Sequence, residues 1–240
     1  MTAYASRSLG RRLVAECVGT SMLLAAVVGS GIMGDRLSGG NVAIALLANA
    51  VATGAALVAL ILTFGPISGA HFNPAVSFAD ASQGGLSWRD SGAYALVQVL
   101  GALIGVALAD LMFGEPVYAW SRHVRSGLPQ ILSETVATFG LMAVIWGCSR
   151  RRSEAVPFAV GAYITAAYWF TASTSFANPA VTLARAITDT FAGIRPQDVP
   201  AFWLAQAIGT IAATALFRWL VPALEHTSDA AAHGLSEAGP

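Results

Sequence analysis

Apolar residues in this chain gather into six long runs, near 12–34, 41–64, 90–113, 129–148, 156–173 and 199–222. A helix needs ~20 mostly apolar residues to cross ~30 Å of hydrocarbon, so the pattern predicts six spanning helices. The polar intervals are the arginine-rich start, the segment 114–128 and the tail 223–240. No soluble catalytic domain fits into them. The chain therefore reads as one membrane domain over 1–240, with a first repeat at about 12–113, a second at about 129–222 and a polar cytoplasmic tail. The first run follows Arg11 and Arg12 and lacks an obvious cleavage site, so it is expected to be a retained span, with the mature chain starting near residue 1.

Composition points the same way: 55% hydrophobic residues, 11% charged residues and a mean hydropathy of +0.63 are too apolar for an ordinary soluble domain. Net charge is zero, and all 13 basic residues are arginines. If six spans alternate, Arg7, Arg11, Arg12, Arg89, Arg150, Arg151, Arg152 and Arg218 share one side, while Arg36, Arg122, Arg125, Arg185 and Arg195 share the other. The richer side is expected to be cytoplasmic, which puts both termini inside a multi-pass protein of the cell (inner) membrane. Cys17 and Cys148 both fall within spans and no His or Cys cluster has ligand spacing, so neither a disulfide framework nor a metal site is expected.

The halves repeat. Glu16-Cys17-Val18-Gly19-Thr20 is answered by Glu134-Thr135-Val136-Ala137-Thr138, Gln98 with Gly101 by Gln206 with Gly209, and Asn73-Pro74-Ala75-Val76 by Asn178-Pro179-Ala180-Val181. Three spans per half is an odd number, so the second half must enter the membrane upside down, the inverted-repeat plan that places a site near the midplane.

Asn-Pro is a helix start. Proline suits the first helical position because its missing N–H would have no partner there, and asparagine caps the first-turn amides. From Asn73 to about Asp80 and from Asn178 to about Ile187 there is room for two or three turns, about half a bilayer. The prediction is an all-α membrane protein of six transmembrane helices plus two reentrant half-helices that meet head to head at the two asparagines. Their free amide N–H₂ groups and positive dipole ends would then oppose cations and donate to neutral hydroxylated molecules. The connecting backbone at 64–72 and 172–177 is expected to be non-helical, tolerable at that depth only beside protein or water.

At this point the chain resembles the aquaporin and aquaglyceroporin family over almost its whole length. Ser68-Gly69-Ala70-His71-Phe72-Asn73-Pro74-Ala75-Val76 is similar to the family's first pore loop, and Phe176-Ala177-Asn178-Pro179-Ala180 to the second. The resemblance implies a homotetramer with one pore per subunit, no cofactor, and Glu16, Glu134, His71, Gln98 and Gln206 as supports of the pore loops. Proton transfer by the glutamates and pH gating by His71 are the competing roles.

One position departs from the family pattern. Most members carry arginine directly after the second Asn-Pro-Ala, and here that residue is Val181. Counting without gaps along the family's filter positions gives Thr53, Ala166, Ser175 and Val181, all small or medium. A small gap in the fifth span would instead put Tyr163, Tyr168 or Trp169 in the lumen. The ungapped set implies a wide, partly apolar filter that passes neutral solutes larger than water. Valine at this position resembles bacterial aquaglyceroporins linked to arsenic resistance, so arsenite and antimonite as neutral trihydroxy acids join glycerol and water as expected guests. Asp80 and Arg185 are expected near the far ends of the half-helices, wetted or paired, while Gly101 with Gly105 and Ala205 with Gly209 and Ala213 form small-residue packing rows.

Other readings stay open: a water or glycerol channel with no arsenic role, a secondary transporter, or a non-conducting scaffold with an aromatic plug. A transporter normally needs coupling carboxylates beside Asn73 or Asn178, and none is adjacent in sequence. No nucleophile and base pair, phosphate loop or nucleic-acid signature is visible, so an enzyme is not expected.

Overall fold

The structure is a computed structural model that describes residues 7–221, so the tail at 223–240 lies outside the described residues. Its main elements, in chain order, are α1 (Leu9–Leu37), α2 (Val42–Ser68), α3 (Pro74–Ser82), α4 (Trp88–Phe113), α5 (Leu128–Ser149), α6 (Val156–Phe170), α7 (Pro179–Ala184) and α8 (Val199–Leu220). All are helical. Five segments, α1, α2, α4, α5 and the stretch 196–220 that includes α8, are long and apolar enough to cross a membrane.

The fifth run departs from expectation. α6 has 15 residues and ends at Phe170 rather than near 173, although a 3₁₀ turn at Ser153–Ala155 leads into it. The stop has a local cause. Thr171 turns extended and its hydroxyl donates to the Ala167 carbonyl at 2.7 Å, and the Ser173 hydroxyl accepts from the Ser175 N–H at 3.2 Å. Such hydroxyl-rich segments offer the backbone bonds that compete with the helix. Conversely, α2 stays helical through Ser68 and stops at Gly69, whose φ of 90° closes the helix end, so the irregular backbone before Asn73 is shorter than the predicted 64–72.

The repeat is visible in the packing. α1 lies against α2 and α4, α5 lies against α6 and α8, and the halves meet where α2 crosses α6. The short helices α3 and α7 each touch α4 and α8 and also meet one another. Glycine permits the close crossings. A Cβ on Gly101 would stand 2.2 Å from the Cys17 carbonyl oxygen, and one on its repeat mate Gly209 would stand 2.5 Å from that of Thr135. At the α2–α6 crossing, Gly54 and Gly161 face each other's carbonyl oxygens at 2.8 and 2.6 Å by the same construction. Large apolar side chains such as Leu96, Leu108, Leu204 and Ile211 are left on the outside, as suits a surface that faces lipid.

The segment 114–127 folds over the end of the molecule that carries the C-terminus of α7. The Ser121 N–H donates to the Ala186 carbonyl, the Arg195 N–H donates to the His123 carbonyl, and Arg122 pairs with Asp189 at 2.7 Å. That strap delivers Arg125 to the interior.

Candidate functional site

Each half-helix begins on its asparagine. Asn73 accepts from the Ala75 N–H at 2.9 Å, while Asn178 accepts from the Ala180 and Val181 N–H groups at 3.0 and 3.3 Å. α3 runs nine residues, and α7 runs six before tightening into a 3₁₀ turn at Arg185–Ile187. The amide groups are less free than the sequence led one to expect. Asn73 Nδ2 donates to the Ala177 carbonyl and Asn178 Nδ2 to the Phe72 carbonyl, both at 2.8 Å, so each asparagine ties itself to the opposite loop. One hydrogen per amide is consumed there and one is left.

The loops that carry the asparagines share an unusual backbone. Ala70 and Phe72 on the first, and Ser175 and Ala177 on the second, all have φ between 48 and 53°. A left-handed non-glycine residue costs of order 1–2 kcal/mol, so four of them need holding. Two buried carboxylates supply that hold. Glu16 accepts from the Ser68 hydroxyl, the His71 and Phe72 N–H groups and Gln98 Nε2, at 2.6 to 3.0 Å. Glu134 accepts from the Phe176 and Ala177 N–H groups and Gln206 Nε2, at 2.7 to 2.9 Å. Both are fully buried. Gln98 then donates to Ser77 Oγ and Gln206 to Thr182 Oγ1, and those hydroxyls donate to the Asn73 and Asn178 carbonyls. His71 sits 3.1 Å from Ser77 Oγ and edge-on to Tyr94. Ser77 and Thr182 are missing from the sequence reading, although each lies four residues past its asparagine and the repeat alone could have found them.

A cavity of about 780 Å³ runs past both asparagines. One end is lined by Asp80, Trp146, Ser149 and Glu154, and the other by Thr53, Tyr168, Ser175, Val181 and Arg185. Ala166 is not there: it lies exposed on the outer face of α6. The buried face of that helix carries Pro157, Val160, Gly161, Ile164 and Tyr168, one stripe at helical spacing that passes Ala166 by. Tyr168, from that stripe, lines the cavity instead, 2% exposed, its hydroxyl 3.2 Å from Thr53 Oγ1. The lining beside Thr53 and Val181 therefore includes an aromatic ring that the ungapped count left out. Tyr163 instead donates to the Ala137 carbonyl, and Trp169 is exposed.

Arg185 closes the far end of α7 as expected, but it is neither exposed on the surface nor ion-paired: it is 2% exposed, lines the cavity and stacks on Phe176, with Cζ 3.4 Å from the ring centroid. Arg125 reaches the same ring from the strap, with Cζ 5.0 Å from the centroid, and donates to the Gly193 and Ser173 carbonyls. Burial pushes the Arg125 guanidinium down to about 10, with Glu134 and Tyr168 opposing the shift, so it stays protonated at neutral pH. Among the described residues no cluster of His, Cys, Asp and Glu has the makings of a metal site.

An inverted pair of three-helix units, with two reentrant half-helices capped by asparagine and a cavity between them, is the architecture of a membrane channel. The chain belongs to the major intrinsic protein family, whose description it matches over residues 3–175 and again over 151–238; its members are channels, not enzymes. It is 57% identical over 224 residues to the aquaglyceroporin AqpS of Rhizobium meliloti (strain 1021), covering 92% of this chain and 96% of that protein. It is 35% identical over 159 residues to the aquaporin NIP1-1 of Zea mays, covering 64% of this chain and 55% of that protein. The X-ray structure of the aquaglyceroporin from Plasmodium falciparum superposes with a TM-score of 0.69 at 23% identity, over 90% of this chain and 98% of that one.

Proposed function

We propose that this protein is a passive channel for small uncharged solutes, glycerol and water among them, and that it also conducts trivalent arsenic and antimony as their neutral trihydroxy acids. The observation that carries the reading is Val181, which is buried and lines the cavity directly after the second Asn-Pro-Ala. With Thr53, Ser175 and Tyr168 it forms a ring of hydroxyls around an apolar residue, suited to a compact molecule that bears several O–H groups. Beyond that ring the two asparagines keep one amide hydrogen each for a passing acceptor. The strong likeness to an aquaglyceroporin supports the solute class.

The reading includes a homotetramer, with the exposed leucines and isoleucines of the long helices covered by lipid and neighbouring subunits, and both termini on the cytoplasmic face of the inner membrane. Proteoliposomes test the solute class directly. Swelling or uptake with water, glycerol, urea and arsenous acid should show flux for all but a charged control. Flux of water alone would refute the larger-solute reading, and glycerol flux without arsenous acid flux would remove the metalloid from it.

A further inference from the structure

The end of the cavity near Tyr168 and Val181 holds a guanidinium that belongs to no ion pair among the described residues. Arg185 spends only Nε, on the Ala192 carbonyl. Neither of its η-nitrogens has an acceptor among the described residues, although the side chain is 2% exposed and lines the cavity. Burying an ion without a partner is costly, and contact with the Phe176 ring offsets only part of that.

The neighbourhood adds to the charge. Arg125 lies over the same ring and finds carbonyl acceptors, not a carboxylate. The ion pairs of the described residues are Arg12 with Asp90, Arg36 with Glu115, Arg122 with Asp189 and Arg195 with Asp198, so neither buried guanidinium belongs to one. Glu134, behind the loop, already has three donors on its two oxygens. Asp80 and Glu154 line the opposite end of the cavity.

We propose that Arg185, backed by Arg125, forms a binding site for a small monovalent carboxylate or oxyanion at this end of the cavity. Its two η-nitrogens present the planar fork that matches a pair of oxygens on one atom. Val181 shapes the site by standing one helical turn before Arg185 and presenting only methyl groups to the guest. An occupied site places an anion where neutral solutes would pass, so anions of this size act as blockers. The inference rests on the cavity being open to solutes, which the channel reading also requires.

Formate is the probe and formamide its neutral control. Titration calorimetry on the purified, detergent-solubilised protein in a Tris-chloride buffer, free of carboxylates and oxyanions, reads binding without any need for transport. Formate should bind saturably and formamide should not. Arg185→Gln should weaken formate by about tenfold or more, the loss of a charge-assisted pair of hydrogen bonds, and Arg185→Lys should retain part of the affinity. Val181→Asp offers an internal carboxylate at i,i+4 to Arg185 and should abolish formate binding, whereas Val181→Asn should not. These two variants keep the test decisive if changes at the buried arginine prevent folding. No saturable formate binding by the unaltered protein, or equal affinity in Val181→Asp and Val181→Asn, overturns the site. Binding of formate by a protein that passes neither water nor glycerol would sink the channel reading and leave this one standing.

Discussion

Replacing Glu134 by glutamine changes one oxygen into an N–H₂ group without altering shape, and it should unfasten the second loop. The carboxylate receives three donors: the Phe176 N–H, the Ala177 N–H and Gln206 Nε2. Whichever way the new amide turns, either the Phe176 or the Ala177 N–H must face another donor. Gln206 can rotate to relieve its own conflict, but the backbone cannot. One charge-assisted bond is lost, about 1.5–3 kcal/mol, and one buried N–H is left desolvated, about 1–3 kcal/mol. The sum of about 2.5–6 kcal/mol is large beside an ordinary stability margin of about 5–15 kcal/mol. It falls on one of two neighbouring amides of the second loop, where Ala177 already has a left-handed backbone with φ of 48°. Thermal unfolding of the purified protein, followed by tryptophan fluorescence, should show a midpoint lower by on the order of 5–15 °C. Glycerol flux per reconstituted protein should fall with it. Glu16→Gln should cost at least as much, because Glu16 receives four donors. A midpoint within a degree of the unaltered protein, with flux intact, would refute the claim that these carboxylates hold the loops.

Further outcomes follow from other contacts. Val181→Arg should exclude glycerol and urea while sparing water, read by stopped-flow swelling; an unchanged solute range would place the filter elsewhere. Tyr168→Ala removes the ring that reaches Thr53 and should raise flux of urea and of four-carbon polyols relative to water, whereas Tyr168→Phe removes only the hydroxyl and should leave the solute range nearly intact. Gly161→Leu drives side-chain atoms into the Gly54 carbonyl across the α2–α6 crossing. It should abolish a monodisperse peak on size-exclusion chromatography, while Gly65→Ala, with open space around it, should not.

The repeat was legible because its chemistry is local. Asn-Pro starts a helix wherever it stands, so the two half-helices could be read from local chemistry, whereas the support role of the paired glutamates and glutamines came only from the family resemblance and Ser77 and Thr182 were missed. The fifth span was not legible to the same depth. Its apolar run continues past Phe170, but the backbone turns extended at Thr171, where the hydroxyls of Thr171 and Ser173 bond to nearby backbone. Counting family positions without gaps then selected Ala166, whereas the helical stripe from Pro157 through Gly161 and Ile164 leads to Tyr168. Arg185 was out of reach for a different reason. Its burial depends on Phe176, nine residues earlier, and on the 192–194 turn that brings the Ala192 carbonyl to its Nε, contacts that no periodicity encodes. Arg125 likewise reads as a solvated loop charge until the strap is seen to be pinned to Ala186, Asp189 and Asp198.

The most direct measurement is radiolabelled glycerol uptake into proteoliposomes containing the purified protein, with proton and sodium gradients imposed in either direction. A conduit past Asn73 and Asn178 predicts entry well above protein-free vesicles, levelling at equal inside and outside concentrations and indifferent to either gradient. Accumulation above the outside concentration, or uptake no faster than in protein-free vesicles, would contradict it.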